Sequence, residues 1–132
     1  MRWHAFVDGA SSGNPGKSGA GIFVQDDEGR QLLSKGIFLG SMTNNMAEYE
    51  ALLNALTYAT EHSVREITVY TDSLLVAKQV TGAYKINNDI LRDYVRRIKT
   101  IASNFDDFAI KYIPREENKK ADKLAKDAVK KG

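Results

Sequence analysis

Cysteine is absent from the 132 residues. That excludes disulfides, thiolate nucleophiles and cysteine-ligated zinc or iron–sulfur centres. Long apolar runs are missing too: none approaches the ~18 residues that a membrane helix needs. The N-terminus enters a strand-like run almost at once, unlike a signal peptide. The expectation is a cytoplasmic protein with no membrane contact. Two prolines and ten glycines exclude a collagen-like or proline-rich chain. No single charge dominates, because 19 basic and 17 acidic residues leave a net +2. Such a balance argues only weakly for nucleic acid.

The distribution of charge says more. Residues 111–132 hold eight Lys or Arg against four Asp or Glu, and residues 78–99 hold six against two. Either region reads equally as a solvated helix face or as a surface for a polyanion. Hydrophobic residues at 42% and charged residues at 27% match an ordinary globular chain. The length suits one domain over residues 1–132, with no linker or repeat.

Residues 2–8 alternate as a strand, with Trp3, Ala5 and Val7 on one side and His4, Phe6 and Asp8 on the other. GASSGNPGKSG follows as a turn-rich loop. Residues 20–26 and 30–39 read as a hairpin closed by Asp27-Glu28-Gly29. The period then changes. Positions 47, 51, 52, 55, 56 and 59 are apolar at helical spacing, and Thr43, Asn44 or Asn45 can cap that helix. Residues 67–72 form a fourth strand. Ser73 opens a short helix that Gly82 ends, Asn87 or Asn88 opens a third helix, and Phe108–Ile113 is a fifth strand. A last helix starts near Asn118. The order βββαβααβα predicts an α/β fold with a five-stranded mixed sheet flanked by helices, its fourth strand beside the first.

Four acids stand at element ends in this order. Asp8 and Asp72 close strands, and Glu48 and Asp122 lie near helix starts. Parallel neighbours would bring Asp8 and Asp72 within roughly 5 Å, at the strand ends where open α/β sheets bind ligands. Each acid has a plainer explanation alone: a turn former, a helix cap, or a partner for a helix dipole. Together they suit a hard dication, Mg2+ or Mn2+, because only oxygen ligands are on offer. Two such ions at ~4 Å can activate a water and stabilise a leaving oxygen in phosphodiester hydrolysis. SSGNPGKSG is not a nucleotide-binding loop of the GxxxxGK[ST] kind. Thr43-Asn44-Asn45 offers more donors than capping one helix requires, and these suit a phosphate, a base edge or a 2′-OH.

FVDGASSGNPG, TNNMAEYEALLNAL, VYTDSLLVAKQV and ENKKADKLA, in that order, resemble type 1 ribonuclease H across most of the chain. The resemblance implies the ribonuclease H-like fold. It also implies metal-dependent endonucleolytic cleavage of the RNA strand of RNA–DNA hybrids, leaving 5′-phosphate and 3′-hydroxyl ends. The family's metal-site carboxylates map onto Asp8, Glu48, Asp72 and Asp122, holding two ions with substrate bound. Its hybrid contacts map onto Asn14, Thr43, Asn44 and Asn45.

Two departures stand out. Many bacterial members carry a histidine on the loop before the last helix, whereas IPREENKKAD has none. Arg115 or Glu116 stands near that place, and Arg115 could hold a phosphate in its guanidinium fork. His4 reads as a sheet-face residue and His62 as a helix end. Many members also insert a basic protrusion between the middle helices, where this chain has only VTGAYKINND. Lys85, the Arg92–Lys99 face and the C-terminal lysines remain for DNA-strand phosphates. The expectation is a monomer that binds an RNA–DNA hybrid, with no protein partner indicated. The alternatives are a nucleic acid-binding module with weak or no cleavage, and a hydrolase of another RNA-containing duplex.

Overall fold

The computed structural model describes residues 1–132. Its elements are β1 (Arg2–Ser11), β2 (Gly16–Gln25), β3 (Gln31–Met42), α1 (Asn44–Glu61), β4 (Glu66–Thr71), α2 (Leu74–Val80), α3 (Asp89–Ala102), β5 (Asp107–Tyr112), a 3-10 turn (Arg115–Glu117) and α4 (Lys119–Lys131). This is the expected order. One sheet runs β3-β2-β1-β4-β5. β1–β2 and β2–β3 are antiparallel, while β1–β4 and β4–β5 are parallel. No helix is long and apolar enough to cross a membrane.

Trp3, Ala5 and Val7 are buried, as their alternation predicts, and share a core with Ile22, Val24, Ile67 and Val69. α1 covers this face with Tyr49, Leu52 and Leu56, all fully buried. Its amphipathic partner α3 adds Leu91, Val95 and Ile98. Polar atoms in this layer are paired: the Tyr49 hydroxyl donates to Gln79 Oε1 at 2.6 Å and the Tyr94 hydroxyl to Glu50 Oε2 at 2.6 Å. The expected hairpin turn is present, and Asp26 holds it. Its carboxylate accepts the N–H groups of Glu28 and Arg30, both at 2.9 Å.

The strands near the site are longer than the pattern predicts. β1 continues to Ser11 and β2 begins at Gly16, so most of GASSGNPGKSG is ladder: Gly9 pairs with Ala20, Ala10 with Gly19 and Ser11 with Ser18. β3 likewise continues to Met42. Read locally, glycines mark turns. Here two of them mark close contact between layers. A Cβ on Gly9 would lie 2.4 Å from the Glu48 nitrogen of α1. A Cβ on Gly21 would lie 2.0 Å from the Ala121 carbonyl oxygen of α4. α4 packs its buried Ala121, Ala125 and Ala128 on the sheet face opposite α1. Each glycine thus admits the first turns of one helix to the strand pair that carries Asp8.

Gly21→Ala is expected to destabilise the protein by about 1–3 kcal/mol through overpacking. The measurement is the urea unfolding midpoint. A midpoint equal to wild type would mean that α4 does not sit this close.

Candidate metal centre

Asp8 lies inside β1, paired across the ladder with Gly21, and is only 4% exposed. It is not a turn former, since the strand runs on past it. Asp72 directly follows β4, whose Thr71 pairs with Val7 of β1, so the two acids occupy the next step of one parallel pair. Asp72 does not cap α2: the Ser73 hydroxyl takes that place, accepting the Val76 N–H at 3.2 Å. Glu48 sits just beyond the first turn of α1, whose cap is Thr43. Its Oε1 accepts the Gly9 N–H at 2.6 Å. One carboxylate oxygen from each of Asp8, Glu48 and Asp72 lies within 4.8 Å of the other two.

Asp122 joins this group less tightly. It stands close enough to Asp8 for each to influence the other's proton affinity, but it falls outside the three-residue cluster and forms an ion pair with Lys126 at 3.0 Å. The spacing of that pair, one helical turn, was visible in the sequence.

The electrostatics separate the four acids. Burial first, then the charges of Glu48 and Asp72, push Asp8 up to about 10. Burial and then Asp72 push Glu48 up to about 8, against the opposing effects of the Gly9 N–H, the neighbouring Asp8 carboxyl and the charge of Arg115. Burial acts upward on Asp122 as well, yet Lys126, Asp8 and Arg115 hold it below the ordinary carboxylate range. Without a cation the buried acids cannot all be ionised at neutral pH. A dication removes that repulsion. An all-oxygen donor set fits Mg2+ or Mn2+ and offers nothing to a soft metal.

Three of the four expected hybrid-contact residues line one shallow cavity of about 260 Å³: Asn14, Thr43 and Asn45, together with Asn88. The Asn14 side-chain oxygen accepts the Asn44 N–H at 3.0 Å, tying the β1–β2 turn to the start of α1. Thr43 spends its hydroxyl as acceptor for the Met46 N–H. Asn88 was readable only as a helix cap. Its oxygen does cap α3 through Ile90 and Leu91, so its NH2 group is not used in the cap.

Lys85 is exposed between α2 and α3 and does not line this cavity. Arg115 is exposed on the 3-10 turn, near enough to lower the proton affinity of Glu48 and Asp122. The two histidines lie elsewhere. His4 bonds Tyr70 and Asp27 on the sheet face, and His62 ends α1.

A mixed sheet in the order β3-β2-β1-β4-β5, with helices on both faces and acids where the pairing of two central parallel strands ends, defines the ribonuclease H-like architecture. The sequence profile described as "Reverse transcriptase-like" matches residues 6–128. The chain is 41% identical over 128 residues to ribonuclease HI of Halobacterium salinarum, covering 97% of this chain and 64% of that protein. It spans only 34% of a bifunctional Mycobacterium tuberculosis relative. The crystal structure of the Halobacterium salinarum RNase H1 superposes with a TM-score of 0.97 at 39% identity, over 100% of both chains. A compost-metagenome RNase H1 solved with an RNA/DNA hybrid superposes at 0.93 with 33% identity, over 98% of this chain and 97% of that one. The chain belongs to the ribonuclease HI family.

The raised acids give a pH signature. In the folded, metal-free protein Asp8 and Glu48 keep protons that the unfolded chain releases above about pH 4. Their contribution is complete below that pH and declines as pH rises through about 8 for Glu48 and about 10 for Asp8. In chelator, unfolding midpoints are expected to fall between pH 5 and pH 8. Asp8→Asn is expected to gain at least about 1 kcal/mol at pH 8. A variant no more stable than wild type there would contradict the repulsion.

Proposed function

We propose that this chain is a ribonuclease H that hydrolyses the RNA strand of RNA–DNA hybrids endonucleolytically, leaving 5′-phosphate and 3′-hydroxyl ends. The observation that carries this reading is the convergence of Asp8, Glu48 and Asp72 oxygens within 4.8 Å at the ends of a parallel strand pair. Kinship with a ribonuclease H1 solved with a hybrid supports the substrate. Residues 1–132 act as one ribonuclease H domain and work as a monomer.

Asp8, Glu48 and Asp72 hold the dications, with Asp122 completing the set beside Asp8. Held by these carboxylates, two Mg2+ or Mn2+ ions would supply the acidity to activate an attacking water and the charge to stabilise the leaving oxygen. Glu48 is oriented for this by the Gly9 N–H. Asp122 already carries its charge, because Lys126 stabilises it. No imidazole stands among the acids, so no histidine takes the water's proton. Arg115, on the turn before α4, holds a substrate phosphate.

Recognition of the duplex falls to the asparagine cradle. Asn14, Thr43, Asn44 and Asn45 face the minor groove, where 2′-hydroxyls distinguish an RNA-containing duplex. Lys85 and the exposed Arg92, Arg96 and Lys99 take phosphates of the DNA strand. Those three side chains line one groove of about 470 Å³ with Ile86, on the helix that begins at the asparagine cavity.

Two measurements test the proposal. Labelled RNA–DNA hybrid, double-stranded RNA and single-stranded RNA are incubated with the protein in Mg2+, Mn2+ or chelator. The hybrid alone is expected to be cut, and only with metal. Asp8→Asn is expected to abolish cleavage while hybrid binding persists. Hybrid left intact in both metals by folded protein would favour a binding module without cleavage. Lys85→Ala and Arg115→Ala are each expected to lower the slope of log affinity against log salt by about one contact's worth, roughly 0.7–0.9. Unchanged slopes would remove these residues from the interface.

A further inference from the structure

Asn118 stands between the two halves of the proposed metal site. It precedes the first residue of α4, where asparagine ordinarily turns its side-chain oxygen onto the N–H groups of the first turn. Asn118 makes no such bond. It is 1% exposed, and its side-chain Nδ2 donates instead to the main-chain oxygen of Val7 at 2.8 Å, across 111 residues of sequence. Val7 is the residue before Asp8. The main-chain oxygen of Asn118 meanwhile accepts the N–H of Asp122 at 3.1 Å. One residue therefore joins the stretch of β1 carrying Asp8 to the helical turn carrying Asp122.

The arrangement is costly for folding alone. Asn118 Oδ1 is buried with no hydrogen-bond partner, and leaving such an oxygen unpaired is unfavourable. A local cap would have used that oxygen. The side chain is committed to the long-range bond instead, which fixes how α4 docks on β1. Gly21 permits the close approach of Ala121 to the sheet, but a missing Cβ sets only a lower limit on distance. A directional bond sets position.

Resting on the metal-site reading above, we infer that Asn118 is a positioning residue: through Val7 O it holds Asp8 and Asp122 at the separation that two dications need. It touches neither metal nor substrate. Outer groups that orient metal ligands typically govern metal affinity by 10–100-fold, which sets the size of the expected effect.

The test compares wild type, Asn118→Ala, the milder Asn118→Ser and the core control Leu56→Ala. Leu56 is fully buried in the α1 layer, about two helical turns beyond Glu48. Mn2+ uptake by substrate-free protein is measured by calorimetry. Hybrid affinity is measured in chelator, and kcat and KM in Mn2+. Asn118→Ala is expected to bind Mn2+ at least about tenfold more weakly. Its kcat is expected to fall while KM and hybrid affinity stay within about twofold, with Asn118→Ser between it and wild type. Leu56→Ala is expected to lose stability and keep its Mn2+ affinity. If Asn118→Ala does not fold, Asn118→Ser carries the same comparison. Mn2+ affinity within about twofold of wild type in the folded Asn118 variant overturns the inference alone, as does an equal loss in Leu56→Ala. Wild-type protein that takes up no Mn2+ overturns the metal reading, and the inference with it.

Discussion

Two contacts between backbones, with no side chain between them, govern the rest of this structure. At Gly9 the peptide linking Ala47 to Glu48 lies against β1, and at Gly21 the Ala121 carbonyl lies against β2. Layers normally separate by the thickness of interleaved side chains, about 10 Å. At that spacing the short carboxylates of two helices on opposite faces would not reach one strand end. Removing one Cβ on each side lets Glu48 bond the Gly9 N–H and brings Asp122 beside Asp8. Glycine in a strand costs roughly 0.5–1 kcal/mol relative to alanine. The buried alanine stripe of α4 offsets that through close packing.

The same closeness creates the electrostatic problem. Three acids converge, and no basic side chain pairs with any of them directly. Asp122 differs in having Lys126. That ion pair is partly solvated, the Asp122 side chain being 24% exposed, so exchanging lysine for a metal costs little. Asp8 and Glu48 have no such partner to surrender. The proposed site is thus divided between a buried part that needs cation to ionise and a solvated part that is ionised beforehand. Cation uptake is coupled to proton release on the first side and to a change of partner on the second.

Much of this was legible from residue order. Period alone distinguished strands from helices, and the crossover rule brought β4 beside β1, which made neighbours of Asp8 and Asp72. What escaped were features set by partners far along the chain. Gly9 and Gly19 read as turn residues and Gly21 as an ordinary strand position, because nothing local distinguishes a glycine kept for φ from one kept for clearance. Asn118 read as a helix start, since its bond is to Val7, 111 residues away. Asn88 read as a cap and is one, but only the folded chain shows that it also lines one cavity with Asn14, Thr43 and Asn45. The resemblance to a family supplied roles for the four acids; their differing charge states came from burial and from Lys126, which only the fold displays.

With no basic protrusion between the middle helices, the proposed duplex binding would rest on α3, and there the charges are conditional. Arg92 pairs with Asp89 at 2.6 Å, and Arg96 is held by Asp93 in the same way. Both pairs lie within one helical turn and in solvent, where such contacts are worth at most about 1 kcal/mol. A lone anion gains little by displacing them. A nucleic acid strand gains more, because each phosphate neutralised also releases condensed counterions. Residues 92, 96 and 99 span about 10 Å of helix, enough to follow several phosphates at 3.4 Å of axis per nucleotide. The acidic partners therefore suppress weak, scattered binding more than they suppress binding to a continuous backbone. In the proposed complex the duplex would lie along α3, whose capping residue Asn88 lines the asparagine cavity.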